Sequence, residues 1–291
     1  MVQDSASDAA ALLAHIEAAA IEAARFIRAR EAHRSAIEWR AKSLTDFVSD
    51  VDTGAERIIR HALIHGYHDA LIVGEELSPD SATNAEISFI VDPLDGTTNF
   101  LHGFAEYAVS IAAALRGEVV AGVIIAIPTN EHFTATRGGG AFRNGEPISV
   151  SSIDEPSRAL IGTGFPFGAD APLDVYLRHF AAVAPRTAGM RRPGSAALDL
   201  VHVACGQFDA FWELTLKPWD FAAGMLLVRE AGGVVTAADG AALDNFPVVG
   251  SGPGFHVSVV AAANASLHAR IIAEIDDGMS RLARWLTTQA E

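Results

Sequence analysis

The chain of 291 residues carries 36 acidic against 21 basic side chains, for a formal net charge of −15, and half of its residues are hydrophobic. This is globular composition and excludes a disordered chain. The charge argues against direct nucleic-acid binding, because the only dense basic spots, Arg28/Arg30/Arg34 and Arg191-Arg192, do not make a stripe.

The lone cysteine, Cys205, excludes an internal disulfide and fits a reducing compartment, and its apolar neighbours mark it as a packed thiol. Asp4, Asp8, His15 and Glu17 interrupt any signal-peptide core. The longest apolar run, Val119 to Pro128, is about half of a membrane span. A soluble cytoplasmic protein without membrane contact is the expectation.

Residues 6 to about 33 repeat Leu12, Ile16, Ala20, Ala23 and Ile27 at helical spacing. A polar connection with Lys42, Asp46, Asp50 and Asp52 leads to a second helix from about Thr53 to His65, which turns Ile58, Ile59 and Leu63 inward. Short strands follow at Ala70–Val73 and Ile87–Val91. Strands Ala108–Leu115, Val119–Ile127 and Glu131–Arg137 are separated by tight turns, and Asn144-Gly145 signals another turn.

The second half alternates: strand Ala159–Thr163, helices at about Leu173–Ala184 and Ser195–Cys205, strand Ala210–Trp212, and helix Asp220–Ala231. Strands Val234–Ala237 and Val257–Ala261 and a last helix, Leu267–Trp285, complete the chain. A composition shift near residue 150 points to one domain built of two lobes, about 1–150 and 151–291, sharing a cleft.

The chemistry concentrates in Asp92-Pro93-Leu94-Asp95-Gly96-Thr97-Thr98-Asn99-Phe100. An apolar strand ends in an aspartate, proline fixes the next φ, and a second aspartate follows three residues later. Gly96 permits a tight path, and Thr97-Thr98 are placed to open a helix. Two carboxylates and a carbonyl aimed at one point form a hard-oxygen set that suits magnesium and not zinc. The alternative is a capped helix start whose aspartates only satisfy backbone donors.

Two further segments bear on that choice. Gly74-Glu75-Glu76 ends a strand with adjacent carboxylates, and Lys217-Pro218-Trp219-Asp220 places another at a helix start, where it could equally be an N-cap. Four terminal carboxylates, Glu75, Asp92, Asp95 and Asp220, would not remain ionised side by side without cations between them.

These three segments together resemble the inositol monophosphatase family, and the resemblance extends over almost the whole chain. Lys42 to Asp52 is similar to the family's mobile N-terminal loop, with Lys42 a candidate contact. Gly138-Gly139-Gly140-Ala141-Phe142-Arg143-Asn144-Gly145 is similar to its mid-chain hairpin, and Gly194-Ser195-Ala196-Ala197-Leu198-Asp199 and Glu213 to its substrate-facing elements. The resemblance implies a layered αβαβα sandwich of the inositol monophosphatase and fructose 1,6-bisphosphatase type.

By the same resemblance, Glu75, Asp92 and the Leu94 carbonyl would hold one magnesium ion and Asp92, Asp95 and Asp220 a second, with a weaker third near Glu75. Thr97, oriented by Asp52, would help Glu75 position and deprotonate the attacking water. Gly96 and Thr97 would grip the phosphate; Asp95, Gly194, Ser195, Ala196 and Glu213 would contact the alcohol. The implied activity is magnesium-dependent, lithium-sensitive hydrolysis of a small phosphate monoester, with myo-inositol 1-phosphate first. Histidinol phosphate, fructose 1,6-bisphosphate and 3′-phosphoadenosine 5′-phosphate are the sister substrates, and a homodimer is expected. Some bacterial members also act without catalysis by binding an RNA polymerase or RNA complex.

Other motifs read more plainly. His61, His65 and His68 imitate a metal face but lack a matching carboxylate. Gly138-Gly139-Gly140 lacks the Lys-Ser/Thr of a nucleotide loop. Gly162 to Gly168 is a pocket lining or a structural turn, and Trp212 and Trp219 are core or pocket wall. Leu77 and the segment Phe246–Phe255 depart from the family pattern.

Overall fold

The computed structural model describes residues 2–41, 47–77, 85–166, 172–243 and 257–275. Helix α1 (Val2–Glu31) buries Leu12, Ile16, Ala20, Ala23 and Ile27, the residues its spacing had marked. Strands β1 (Trp39–Ala41) and β2 (Phe47–Ser49) pair antiparallel. Helix α2 (Asp50–Gly66) begins three residues before the expected Thr53. Ser49 is the cause: it caps the helix, its Oγ accepting from Val51 N at 3.1 Å while its own N donates to Asp52 Oδ2 at 2.9 Å. Asp52 therefore belongs to the helix and not to a polar connection. Ile59 and Leu63 are buried as expected; Ile58 is only half-buried.

Strands β3 (Leu71–Gly74), β4 (Ile87–Asp95), β5 (Ala108–Leu115), β6 (Glu118–Ala126), β7 (Glu131–Thr136), β8 (Gly140–Arg143) and β9 (Glu146–Pro147) form a seven-stranded sheet in that order, with helix α3 (Thr97–His102) between β4 and β5. Only β3 and β4 run parallel. The two faces of β5 explain its apolar sequence: Val109, Ile111 and Ala113 pack with α1 and α2, and Ala108, Ala112 and Ala114 pack on the opposite side. Alternate side chains point to opposite faces, and both faces here are covered.

The second sheet has the order β11-β10-β12-β14-β13. It contains β10 (Leu160–Thr163), β11 (Gly189–Arg191), β12 (Ala210–Leu216), β13 (Val234–Ala237) and β14 (Val257–Ala262). Helix α4 (Leu173–Val183) and helical residues 265–275 cover its outer face through Tyr176, Val183, Leu267, Ile271 and Ile275. Helices α5 (Ala196–Ala204) and α6 (Pro218–Glu230) fill the space between the sheets, packed with residues of both. The layers are thus helix, sheet, helix, sheet, helix. Strand β12 runs four residues past the expected Trp212, because Leu216 still pairs with Val257 beyond a register shift. Helix α6 starts at Pro218, with proline at the first turn, where its missing N–H costs nothing. Residues 276–285 of the expected last helix and the segment 246–255 lie outside the described residues. Among those described, no helix is long and apolar enough to cross a membrane.

Candidate active site

The site begins with an irregularity in β4. The strand does not stop at Val91 but continues to Asp95, pairing Asp92 with Ser110 and Asp95 with Ala108. Three residues of β4 thus span two of β5, a bulge at Pro93-Leu94, one of the few places where a sheet tolerates proline. Ser110 and Ala108 share one face of β5, so the extra residue puts Asp92 and Asp95 on one face as well. That face looks toward α6, since Ser110 Oγ donates to Trp219 O at 3.5 Å. A regular strand would have sent the two carboxylates to opposite sides.

The chain then turns at Gly96, whose φ of +88° is left-handed. A Cβ there would lie 2.7 Å from the Glu106 carbonyl oxygen, so both backbone angle and space require glycine. Gly96, not a threonine, occupies the N-cap of α3. The Thr97 hydroxyl is committed elsewhere: it lies 2.6 Å from Asp52 Oδ1 and 3.0 Å from the Leu94 carbonyl.

Asp52 and Asp220 occupy equivalent places. Each is the third residue of its helix and accepts the backbone N–H of the capping residue through Oδ2, from Ser49 at 2.9 Å and from Lys217 at 2.7 Å. Asp220 is therefore not the N-cap that its position suggested. Asp95 reaches across to the second sheet's helices: its Oδ2 accepts from Ser195 Oγ at 2.6 Å and Ala197 N at 2.8 Å. Ser195 also caps α5, accepting from Leu198 N at 3.3 Å. Asn99 ties the preceding turn to α3, its Nδ2 lying 2.7 Å from Glu106 O and 2.9 Å from Pro193 O. Glu213, nearly buried on β12, packs against Gly164 so closely that any Cβ there would overlap its carboxylate.

The electrostatics follow from this assembly. Burial, then the charges of Glu75, Asp95 and Asp220, hold the Asp92 carboxyl well above the usual range. Asp95 is pushed up to about 6, chiefly by burial, against the hydrogen bond from Ser195. Asp220 is raised by burial and then by Glu75 and Asp95, and Glu213 by burial and then by Asp220 and Asp95. Among the described residues no three Asp, Glu, His or Cys side chains are already drawn close enough to cage an ion. Instead, Asp92, Asp95 and Asp220 each give an oxygen to a neighbouring donor, Asp92 Oδ1 accepting from Leu94 N at 3.0 Å. Mutually repelling, buried oxygen donors of this kind fit a hard divalent cation, which would relieve the repulsion.

The remaining sequence candidates sort clearly. Glu75, just after β3, joins the acid cluster; Ser195 and Ala196, at the start of α5, reach Asp95; Gly194 beside them accepts from Asn99 at 3.2 Å; and Lys42 lies outside the described residues. His61, His65 and His68 are exposed. The glycines at 138–140 form the β7–β8 turn, where Glu230 accepts from Gly138 N at 2.8 Å and Gly140 N at 2.9 Å. Cys205 is a half-buried thiol pushed up to about 11 by burial, and Trp212 is core. Sequence reasoning missed Ser49, Asn99 as a staple, and Glu56. Glu56 was findable: it lies one turn after Asp52, beside the buried Ala55 and Ile59.

The five layers and the carboxylate cluster beside a left-handed glycine turn define a layered α/β protein with buried acids gathered where its two sheets meet the helices between them. Its sequence matches the inositol monophosphatase family model over residues 8–280. The chain belongs to the inositol monophosphatase family. It is 47% identical over 199 residues to an inositol-1-monophosphatase of Rhizobium meliloti, covering 68% of this chain and 75% of that one. It is 46% identical over 205 residues to the putative Nus factor SuhB of Neisseria meningitidis serogroup B, covering 70% and 78%. The crystal structure of the extragenic suppressor protein suhB from Bartonella henselae superposes with a TM-score of 0.82 at 37% identity, covering 91% of this chain and 98% of that one.

Proposed function

We propose that the chain hydrolyses a small phosphate monoester with magnesium, myo-inositol 1-phosphate first, in the cytoplasm. The observation that carries this reading is the β4 bulge, which turns Asp92 and Asp95 to one face beside Glu75 and Asp220. In it, Glu75, Asp92, the Leu94 carbonyl, Asp95 and Asp220 would hold two ions, with a third, weaker ion near Glu75. Bound magnesium would supply the positive charge that activates a water and steadies the departing oxygen.

The chain's own groups do the rest. Thr97, its proton directed to Asp52, offers a lone pair to the attacking water, and Glu75 takes that water's proton. The water oxygen bonds to phosphorus as the ester P–O bond breaks in line, and the departing alkoxide takes up a proton from solvent. No phosphorylated residue forms. Gly96 and Thr97 hold the phosphate; Asp95, Gly194, Ser195, Ala196 and Glu213 face the alcohol. Glu213 suits a polyhydroxylated ring, because a carboxylate accepts hydrogen bonds from hydroxyls.

A panel of phosphate esters compared by kcat/KM, in chelator and after Mg²⁺ is restored, tests this reading. It should show inositol 1-phosphate above histidinol phosphate, fructose 1,6-bisphosphate and 3′-phosphoadenosine 5′-phosphate, with lithium inhibiting. Absence of metal-dependent turnover on every ester, or a trapped phosphoenzyme, refutes it.

Relatives named Nus factor SuhB favour a second, non-catalytic role in a transcription complex. The net charge of −15 directs such a role to protein partners and not to bare nucleic acid. A cellular phenotype that survives Asp95→Asn while phosphatase activity is lost would support it. A homodimer is also part of this reading, supported by the exposed Leu173 and Leu177 on α4, and sedimentation tests it.

A further inference from the structure

Glu56 has no part in the chemistry above, yet it is a fully buried carboxylate, 0% exposed, on the inner face of α2. Its Oε2 accepts from Glu76 N at 2.7 Å and Leu77 N at 3.2 Å, and its Oε1 accepts from Leu77 N at 3.1 Å. Arg60, one turn further along α2, lies 3.8 Å from Oε1 and offsets part of the charge. On the other side of the same loop, Glu75 N donates to Val91 O of β4 at 3.2 Å. Three successive N–H groups leaving β3 are thus satisfied, one by the sheet and two by Glu56. This matters because unsatisfied buried donors would let the loop choose another path. Gly74 fits the arrangement: any Cβ there would overlap Glu56 Oε1, so the strand end must be glycine for the carboxylate to reach the loop.

Asp52 and Glu56 are four residues apart and share one helix face. Asp52 holds Thr97, and Glu56 holds the backbone on the C-terminal side of Glu75. We infer that Glu56 is a positioning residue for Glu75, and that α2 aligns both water-handling groups from one rigid face. The inference rests on the reading of Glu75 as a magnesium ligand. Glu56 itself touches neither substrate nor ion; it acts by fixing where the Glu75 side chain starts.

The test is Mg²⁺ binding by titration calorimetry on the full chain, with circular dichroism and melting temperature recorded for each variant. Glu56→Gln removes one acceptor and sets an N–H₂ against the loop's own donors. It is expected to weaken Mg²⁺ binding about ten- to hundredfold, the usual effect of losing a partner that orients a ligand. Gly74→Ala leaves Glu56 in place but displaces its carboxylate, and should produce the same loss; it carries the test if Glu56→Gln does not fold. Combined with Glu75→Gln, Glu56→Gln should add nothing to the loss caused by Glu75→Gln alone, because both act through one ligand.

Folded Glu56→Gln and Gly74→Ala proteins with wild-type Mg²⁺ affinity would overturn the inference, as would a double variant in which the two losses sum. Equal Mg²⁺ binding by wild type and Glu75→Gln would overturn the ligand reading of Glu75, and this inference with it. The two failures are separated by the variant in which they show.

Discussion

Thr97 Oγ1 lies 2.6 Å from Asp52 Oδ1, joining residues 45 apart in sequence. The bond ties the turn after β4 to the first turn of α2. It also holds the threonine hydroxyl, which lies 3.0 Å from the Leu94 carbonyl as well, in the place where its lone pairs would meet a water. Asp52 is raised from its ordinary value by burial, held back by the hydrogen bonds from Ser49 and Thr97.

Replacing Thr97 by valine keeps the shape and removes the hydroxyl. The expected result is a fall in kcat of about 10²–10⁴ with the phosphate ester, the usual contribution of a positioned proton-transfer partner. Stability should fall by about 1–3 kcal/mol, because a buried acceptor loses its partner. Thr97→Ser should restore most of both. Steady-state kinetics and urea unfolding of the three proteins measure it, and unaltered kcat in the valine variant would remove Thr97 from the water-handling group.

Asp92→Asn should separate stability from activity. Asp92 is the acid on which Glu75, Asp95 and Asp220 all press. Removing its charge is expected to raise the melting temperature of the metal-free protein while abolishing Mg²⁺-dependent hydrolysis. A lower melting temperature in chelator would contradict the repulsion.

The pH dependence has a definite sign. Asp95 titrates near 6 in the fold, above the ordinary 3.8, so between those values the folded protein binds more protons than the unfolded chain. Stability therefore falls as pH rises through that window. His202, raised by the Glu106 and Gln207 hydrogen bonds despite burial, acts in the same direction. His268, lowered by burial, opposes it. Melting temperatures in chelator should decline from pH 4.5 to 6.5, and the increment from added Mg²⁺ should grow over the same range. Asp95→Asn should lessen both trends, with the remaining raised acids Asp92, Asp220 and Glu213 sustaining the rest, and a Mg²⁺ increment constant with pH would argue against the acid cluster as the binding site.

Gly96→Ala tests the turn itself. A left-handed φ in a residue with a side chain costs about 1–3 kcal/mol, and here the new methyl also meets the Glu106 carbonyl. A destabilised protein with phosphate affinity reduced more than Mg²⁺ affinity is expected from denaturation and inorganic-phosphate inhibition. Wild-type phosphate inhibition would separate the turn from phosphate binding.

Most of the architecture could be read from the chain, because its apolar periods are strong. The spacing in α1 and the β5 sequence, apolar except for Ser110, require covered faces, and both are covered. The acids were legible too, because Asp92, Asp95, Glu75 and Asp220 stand at the edges of apolar stretches, where local pattern changes. The ends themselves were less so. Ser49 starts α2 three residues early, and β4 runs through Pro93 to Asp95, since capping and sheet pairing depend on partners that local propensity does not contain.

By itself, then, the sequence determined the apolar faces that α1 and β5 bury, which residues carry charge, and that acids recur at the edges of apolar stretches. Only the tertiary structure decided that Asp92 and Asp95 share a face, because the extra residue exists only relative to the register of β5. It alone decided that Asp52 belongs to Thr97 and Glu56 to the Glu75 loop. Those pairings span tens of residues and form only when α2 packs across the ends of β3 and β4, at distances no local pattern encodes.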